Sequence, residues 1–133
     1  MKLFIDTNIF LDLILKRDAY KEALLIFNAI EKRIFEAFVL DITLLNIDYI
    51  AKKQVKDIRS FINIINKNFK VLGGSNSLIE EALLVKNMDF EDNLQYVCAK
   101  KHNCDLIITN DKKFFSANIK TLTGYEFVAA YLS

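Results

Sequence analysis

Residues Lys2-Leu3-Phe4-Ile5-Asp6-Thr7-Asn8 run from a short apolar, strand-favouring segment to an acid, and the apolar stretch Ile9 to Leu15 follows at once. A short apolar, strand-favouring run that ends at an acid and gives way to a period of about 3.6 within a single turn is a strand feeding a helix, the opening unit of an open α/β sheet. Ligands of such sheets bind beyond the carboxyl ends of the strands, and Asp6 belongs to that edge. Asp6, Thr7 and Asn8 are also good helix caps, so the segment taken alone reads most simply as a capped helix. Two later acids in a similar relation to a strand or helix change that reading.

The 133 residues suffice to bury a core and are expected to form one domain, 1–133. A hydrophobic content of 53% with 26% charged residues suits a folded, soluble chain rather than a disordered one. The net charge is only +1, so any nucleic-acid partner must meet a local basic patch rather than a general attraction. Proline is absent and glycine occurs only at 73, 74 and 124. The chain must therefore turn on Asn, Asp, Ser and Lys, which suits a helix-rich domain. Asp6 and Asp12 interrupt the first apolar run, unlike a secretory signal, and no segment approaches the roughly 20 apolar residues of a membrane span. A cytoplasmic location with no membrane contact is expected. Cys98, His102 and Cys104 form Cys-x3-His-x-Cys, which lacks a fourth ligand, and the cysteines read as reduced structural thiols.

Along the chain, the first helix is expected to end near Lys16-Arg17 and a second to run from about Asp18 to Lys32, with Ala23, Leu24, Phe27 and Ile30 at helical spacing. Ile34 to Leu40 reads as a strand, followed by helices from about Thr43 to Lys53 and Val55 to Asn66. Phe69 to Leu72 is a third strand. Gly73 to Ser77 is a turn, because it lacks the lysine of a phosphate-binding loop. Ser77-x-x-Glu80 predicts a capping box for the next helix, to about Lys86, and Asp89 caps another over Phe90 to Lys101. Leu106 to Thr109 has the continuous apolar character of a strand buried on both faces of a parallel sheet. Ile119 to Leu122 is a last strand, and Thr123-x-x-Glu126 opens a terminal helix. The alternation predicts an α/β fold with a central, mainly parallel sheet between helices.

Asp6 ends the first strand, Asp111 follows the buried strand, and Asp92 lies in the first turn of the helix opened by Asp89. Singly, Asp92 is a favourable acid at a helix start and Asp111 an ordinary turn residue. Together at one sheet edge, three carboxylates repel one another and titrate abnormally unless a cation neutralises them. Hard oxygen ligands of this kind suit Mg²⁺ or Mn²⁺, which can promote in-line phosphoryl displacement.

Three blocks carry a resemblance: Phe4-Ile5-Asp6-Thr7-Asn8-Ile9-Phe10-Leu11-Asp12, Asp89-Phe90-Glu91-Asp92-Asn93-Leu94-Gln95-Tyr96, and Asp105-Leu106-Ile107-Ile108-Thr109-Asn110-Asp111-Lys112-Lys113-Phe114. In this order they resemble the PIN-domain nucleases, most closely the VapC-type toxins of toxin–antitoxin pairs. The resemblance implies a PIN-like three-layer α/β/α domain, Mg²⁺- or Mn²⁺-dependent hydrolysis of RNA, a homodimer and a small antitoxin partner. Asp6, Asp92 and Asp111 match the family's metal-binding acids. Thr7 and Asn8 support them, and Thr109 matches a small polar residue beside the site.

The family usually carries a further acid in its third helix, where Thr43-Leu44-Leu45-Asn46-Ile47-Asp48-Tyr49-Ile50 puts Asn46. Asn46 keeps an oxygen that can ligate a metal or hold a water but brings no charge. Asp48 points away, since two residues on a helix turn roughly 200°. Asp41 reaches inward only if its loop bends, and Asp89 is the better candidate for an added acid. Cation binding is therefore expected to be weaker than in a four-acid site, with Asn46→Glu as the test. Lys112 and Lys113 are placed to meet phosphates flanking the cut. Lys52, Lys53, Lys56, Arg59, Lys100 and Lys101 are outlying basic clusters that read more simply as solvated surface. The alternative function is a catalytically weak PIN module that binds RNA or a protein. An aspartyl-phosphate mechanism on Asp6 lacks a phosphate-binding constellation.

Overall fold

The strands β1 (Lys2–Ile5), β2 (Glu36–Leu40), β3 (Lys70–Leu72), β4 (Leu106–Ile108) and β5 (Lys120–Leu122) form one sheet in the order β3-β2-β1-β4-β5. All four pairings are parallel, in a computed structural model that describes residues Met1–Ser133. Side chains alternate across the sheet. Leu3, Ile5, Ala37, Val39, Leu106 and Ile108 enter one core, and Phe4, Phe38, Leu40 and Ile107 enter the other.

The first core is covered by α1 (Thr7–Ile14), α2 (Tyr20–Glu31), α3 (Asp41–Ala51), α4 (Ile58–Asn68) and α7 (Gly124–Tyr131). The second is covered by α5 (Asn76–Leu84) and α6 (Phe90–Lys101). This is the expected α/β/α sandwich. The apolar faces of α2 and α4 are core: Ala23, Phe27, Ile30, Ile58, Phe61 and Ile65 are all buried. Leu24, placed inward by the helical spacing, is instead exposed, as are Leu25 beside it and Ile64 on α4. Other exposed apolar side chains are Leu45 and Tyr49 on α3, Leu83 and Leu84 at the end of α5, and Met88 beyond it.

Several boundaries differ from the sequence reading. α1 stops at Ile14 because Lys16 turns left-handed at φ 51°, and the Arg17 amide then reaches back to the Asp12 carbonyl. α2 and α6 close the same way at Arg33 and Asn103, so no glycine takes a positive φ. α3 begins at Asp41, directly on the end of β2, rather than at Thr43. α4 begins at Ile58, capped by the Asp57 carboxylate on the Ser60 amide, because Asp is a far better cap than the residues around Val55. The cap of α5 is Ser75, whose hydroxyl accepts from the Leu78 amide at 3.1 Å. Ser77 is already inside that helix and instead accepts from Lys101 Nζ at 2.9 Å. Asp89 and Thr123 cap α6 and α7 as expected, the latter in a full capping box.

From β1 the chain builds outward through β2 and β3, then crosses back to lay β4 on the other side of β1. The carboxyl ends of β1 and β4 thus flank the point where the winding direction reverses, which is where open α/β sheets hold ligands. Ile5 pairs with Ile108, so Asp6 and Thr109 leave the sheet side by side.

Candidate active site

Asp6 occupies the N-cap position of α1 but its side chain caps nothing there. Its Oδ1 accepts from Gln95 Nε2 at 2.9 Å and its Oδ2 from Thr109 Oγ1 at 2.8 Å. The residue is 2% exposed. Desolvation by that burial pushes its carboxyl above the usual range, with Glu91 adding repulsion, while the bonds from Gln95 and Thr109 and the Thr7 amide act the other way. A buried carboxylate is tolerated at this strand end because Leu3, Phe4 and Ile5 are wholly buried beside it, each worth about 1.5–3 kcal/mol.

Asp92 sits in the first turn of α6, 7% exposed, its backbone amide bound by the Asp89 cap at 3.0 Å. Burial first, then the charges of Asp6, Asp89, Asp111 and Glu91, push its carboxyl up to about 7. Asp111 lies just past β4. Its amide donates to Thr109 Oγ1, and its Oδ1 accepts from the Lys113 amide at 2.9 Å, a turn bond that leaves Oδ2 without a partner in the chain. The three acids singled out in the sequence are therefore brought to one edge. Thr109 joins two of them, bonded at once to Asp6 and Asp111.

Other sequence candidates fall differently. Asp89 is exposed and spends one carboxylate oxygen on the α6 cap. Asn8 is exposed and makes no side-chain hydrogen bond. Asn46 presents its amide nitrogen inward, donating to Glu91 Oε1 at 3.0 Å. Thr7 Oγ1 donates to Glu91 Oε2 at 2.9 Å and stands 2.9 Å from the buried Thr43 hydroxyl. Lys112 lines an open groove with Thr109, Asp111, Thr121 and Thr123 beyond β4 and β5, and Lys113 is exposed next to it. Lys101 is tied to Glu81 and Ser77, which gives it a role in holding α6 to α5. Cys98 and Cys104 are free and buried, and burial raises their thiols to about 11 and about 12, so both remain protonated.

Two residues were missed from the sequence: Glu91 and Gln95. The signal was present in the spacing, since Gln95 lies four residues after Glu91 and three after Asp92, so it neighbours each of them on the surface of α6. Gln95 Oε1 is buried and has no hydrogen-bond partner. Such an orphan costs about 1–3 kcal/mol, which a water or ligand at the site would recover.

No three acids, histidines or cysteines form a ready-made metal cage. The donors nevertheless fit a hydrated divalent cation. Mg²⁺ keeps several of its waters and needs only one or two carboxylates. The negative charge crowded around Asp92 is the kind that such a cation relieves.

A family model for the PIN domain matches residues 2–113. The chain belongs to the PIN-domain family. Among curated proteins this PIN-domain chain is similar to "Ribonuclease VapC1" of Aquifex aeolicus (strain VF5), 41% identical over 81 residues. That match takes in 57% of this chain and 54% of the relative, so the chain spans about half the length of the curated protein it matches. Among solved structures it is similar to a toxin-antitoxin complex from Klebsiella pneumoniae, with a TM-score of 0.71 and 24% identity over 93% of this chain and 98% of that one. VapBC2 from Rickettsia felis, bound to a DNA fragment from its promoter, gives a TM-score of 0.69 and 18% identity over 92% and 98%. At these identities the two structures show a shared PIN-domain fold.

Proposed function

We propose that this chain is a divalent-cation-dependent endoribonuclease and the toxin of a toxin–antitoxin pair, acting in the cytoplasm. The observation that carries the reading is the crowding of Asp92 by Asp6, Asp89, Asp111 and Glu91 at the β1–β4 edge of a PIN-domain chain. The similarity to a protein named as a ribonuclease supports the substrate class, and fold neighbours described as toxin–antitoxin complexes support a small antitoxin partner. A homodimer belongs to the same reading.

Asp6, Asp92 and Asp111 hold the cation, Mg²⁺ or Mn²⁺. A bound divalent cation would neutralise the acids and supply the Lewis-acid chemistry that in-line phosphoryl displacement needs. The chain's own contribution is orientation. Gln95 and Thr109 fix both oxygens of Asp6, Thr109 also fixes the Asp111 loop, and Lys112 and Lys113 meet the backbone phosphates on either side of the cut. Phosphate contacts of this kind supply affinity without sequence choice.

The test is cleavage of a mixed-sequence RNA with Mg²⁺ or Mn²⁺, against chelator and Asp92→Asn. Cutting that needs the cation and vanishes in the variant supports the nuclease. RNA binding without turnover by folded protein would favour the binding-module reading, to which the uncharged Asn46 lends its one specific support.

A further inference from the structure

Glu91 makes contacts that neither a helix start nor a solvated surface requires. Asn46 Nδ2 from α3 donates to its Oε1 and Thr7 Oγ1 from α1 donates to its Oε2, so both carboxylate oxygens are held from across the sheet edge. The bond to a carboxylate uses the Thr7 proton, which leaves Thr43 to donate to Thr7 in turn, a buried hydroxyl chain that ends on Glu91. Each carboxylate oxygen has two lone pairs, so these bonds orient the group and leave acceptor capacity free. One turn along α6, the buried Gln95 reaches its amide into the acid cluster at Asp6 and keeps an oxygen with no donor in the chain. That orphan is an independent sign that something with donors, such as a hydrated cation, belongs beside these acids.

We infer that Glu91 is the fourth acid of the site, delivered by α6 in place of an acid on α3, and that Asn46 is its positioning residue rather than a metal ligand. The exchange conserves charge: Asn46 removes one carboxylate from the α3 position, and Glu91 returns one at hydrogen-bond distance from it. It also reverses the expectation for Asn46→Glu. A glutamate there would set a second negative charge against Glu91 Oε1, replacing a donor with a like charge.

This inference rests on the metal-dependent nuclease reading, and its test is Mn²⁺ binding by calorimetry on the folded full chain. Glu91→Gln should weaken Mn²⁺ binding by about tenfold or more, and Asn46→Glu should weaken it as well. The exchanged pair, Asn46→Glu with Glu91→Gln, should recover binding to within about threefold of the parent, a recovery that a merely structural role for either residue would not produce. Glu91→Gln with unchanged Mn²⁺ binding, or Asn46→Glu that tightens it while Glu91 is present, would overturn the inference. Asp92→Asn separates the two levels. If it abolishes binding while Glu91→Gln does not, only the role of Glu91 fails. If neither variant affects binding, the metal site fails with it. Circular dichroism and melting temperature establish that each variant is folded.

Discussion

Thr109 Oγ1 donates to Asp6 Oδ2 at 2.8 Å while accepting the Asp111 amide at 3.1 Å, so a single hydroxyl ties the acid that ends β1 to the acid that follows β4. Thr109 is 3% exposed, so its hydroxyl makes both bonds in the protein interior. Thr109→Val keeps the shape and removes both bonds, leaving Asp6 with Gln95 as its only side-chain donor. Cation affinity and RNA cleavage should each fall about 10–100-fold, as for other partners of metal-ligating groups. Thr109→Ser should retain most of both. Equal activity in the Val and Ser variants would remove the hydroxyl from the mechanism.

The crowded Asp92 makes stability depend on pH. Its carboxyl is pushed up to about 7 in the native chain, against 3.8 when unfolded, by burial first and then by Asp6, Asp89, Asp111 and Glu91. Across that window the native state binds more protons than the unfolded chain. The contribution of Asp92 to stability should therefore be full below the unfolded value, fall as pH rises toward about 7, and level off above it. Melting of the cation-free protein between pH about 5 and 8 should show this decline, and Mg²⁺ or Mn²⁺ should restore stability most at the upper end. A melting temperature that climbs through the window would contradict the crowding.

Lys112 and Lys113 are exposed and follow Asp111 directly. Replacing both with Ala should weaken RNA binding alike for all sequences and lower the salt dependence by about 1.4 in log–log slope, as expected for two lost contacts to single-stranded phosphates. The melting temperature should hardly move. A change in sequence preference, rather than in overall affinity, would assign these lysines a different role.

Lys16 holds a left-handed φ of 51° after α1, a conformation that glycine adopts freely. Lys16→Gly should stabilise the fold by about 0.5–1 kcal/mol, the relief of backbone strain less the entropy glycine adds to the unfolded chain. Denaturant titration checks this. Destabilisation would mean that the lysine stem contributes packing that outweighs the strain.

Much of the fold was legible because its signals are local. β1 and β4 are apolar runs, the first ending at Asp6 and the second followed three residues later by Asp111, and the caps Asp89 and Thr123 stand where their spacing puts them. The slips at α1, α4 and α5 are contests between neighbouring residues able to do one job: Ser75 against Ser77, Asp57 against the chain before it, and a left-handed lysine where no glycine marked the stop. The candidate site was legible in part. Asp6, Asp92 and Asp111 announce themselves by position relative to strands and a helix, whereas Glu91 was hidden beside Asp92 as one more acid in a helix's first turn.

By itself the sequence determined the alternation of strands and helices, the burial of the central strands and the placing of acids at their carboxyl ends, because periodicity, capping and hydrophobic burial act over a few residues at a time. Only the tertiary structure decided what those acids touch. Glu91 meets Asn46 across 45 positions and Thr7 across 84, and Asp6 meets Gln95 across 89. Those meetings depend on how α1, α3 and α6 are rotated against a shared sheet edge, and that rotation is set by the packing of two cores rather than by any local pattern.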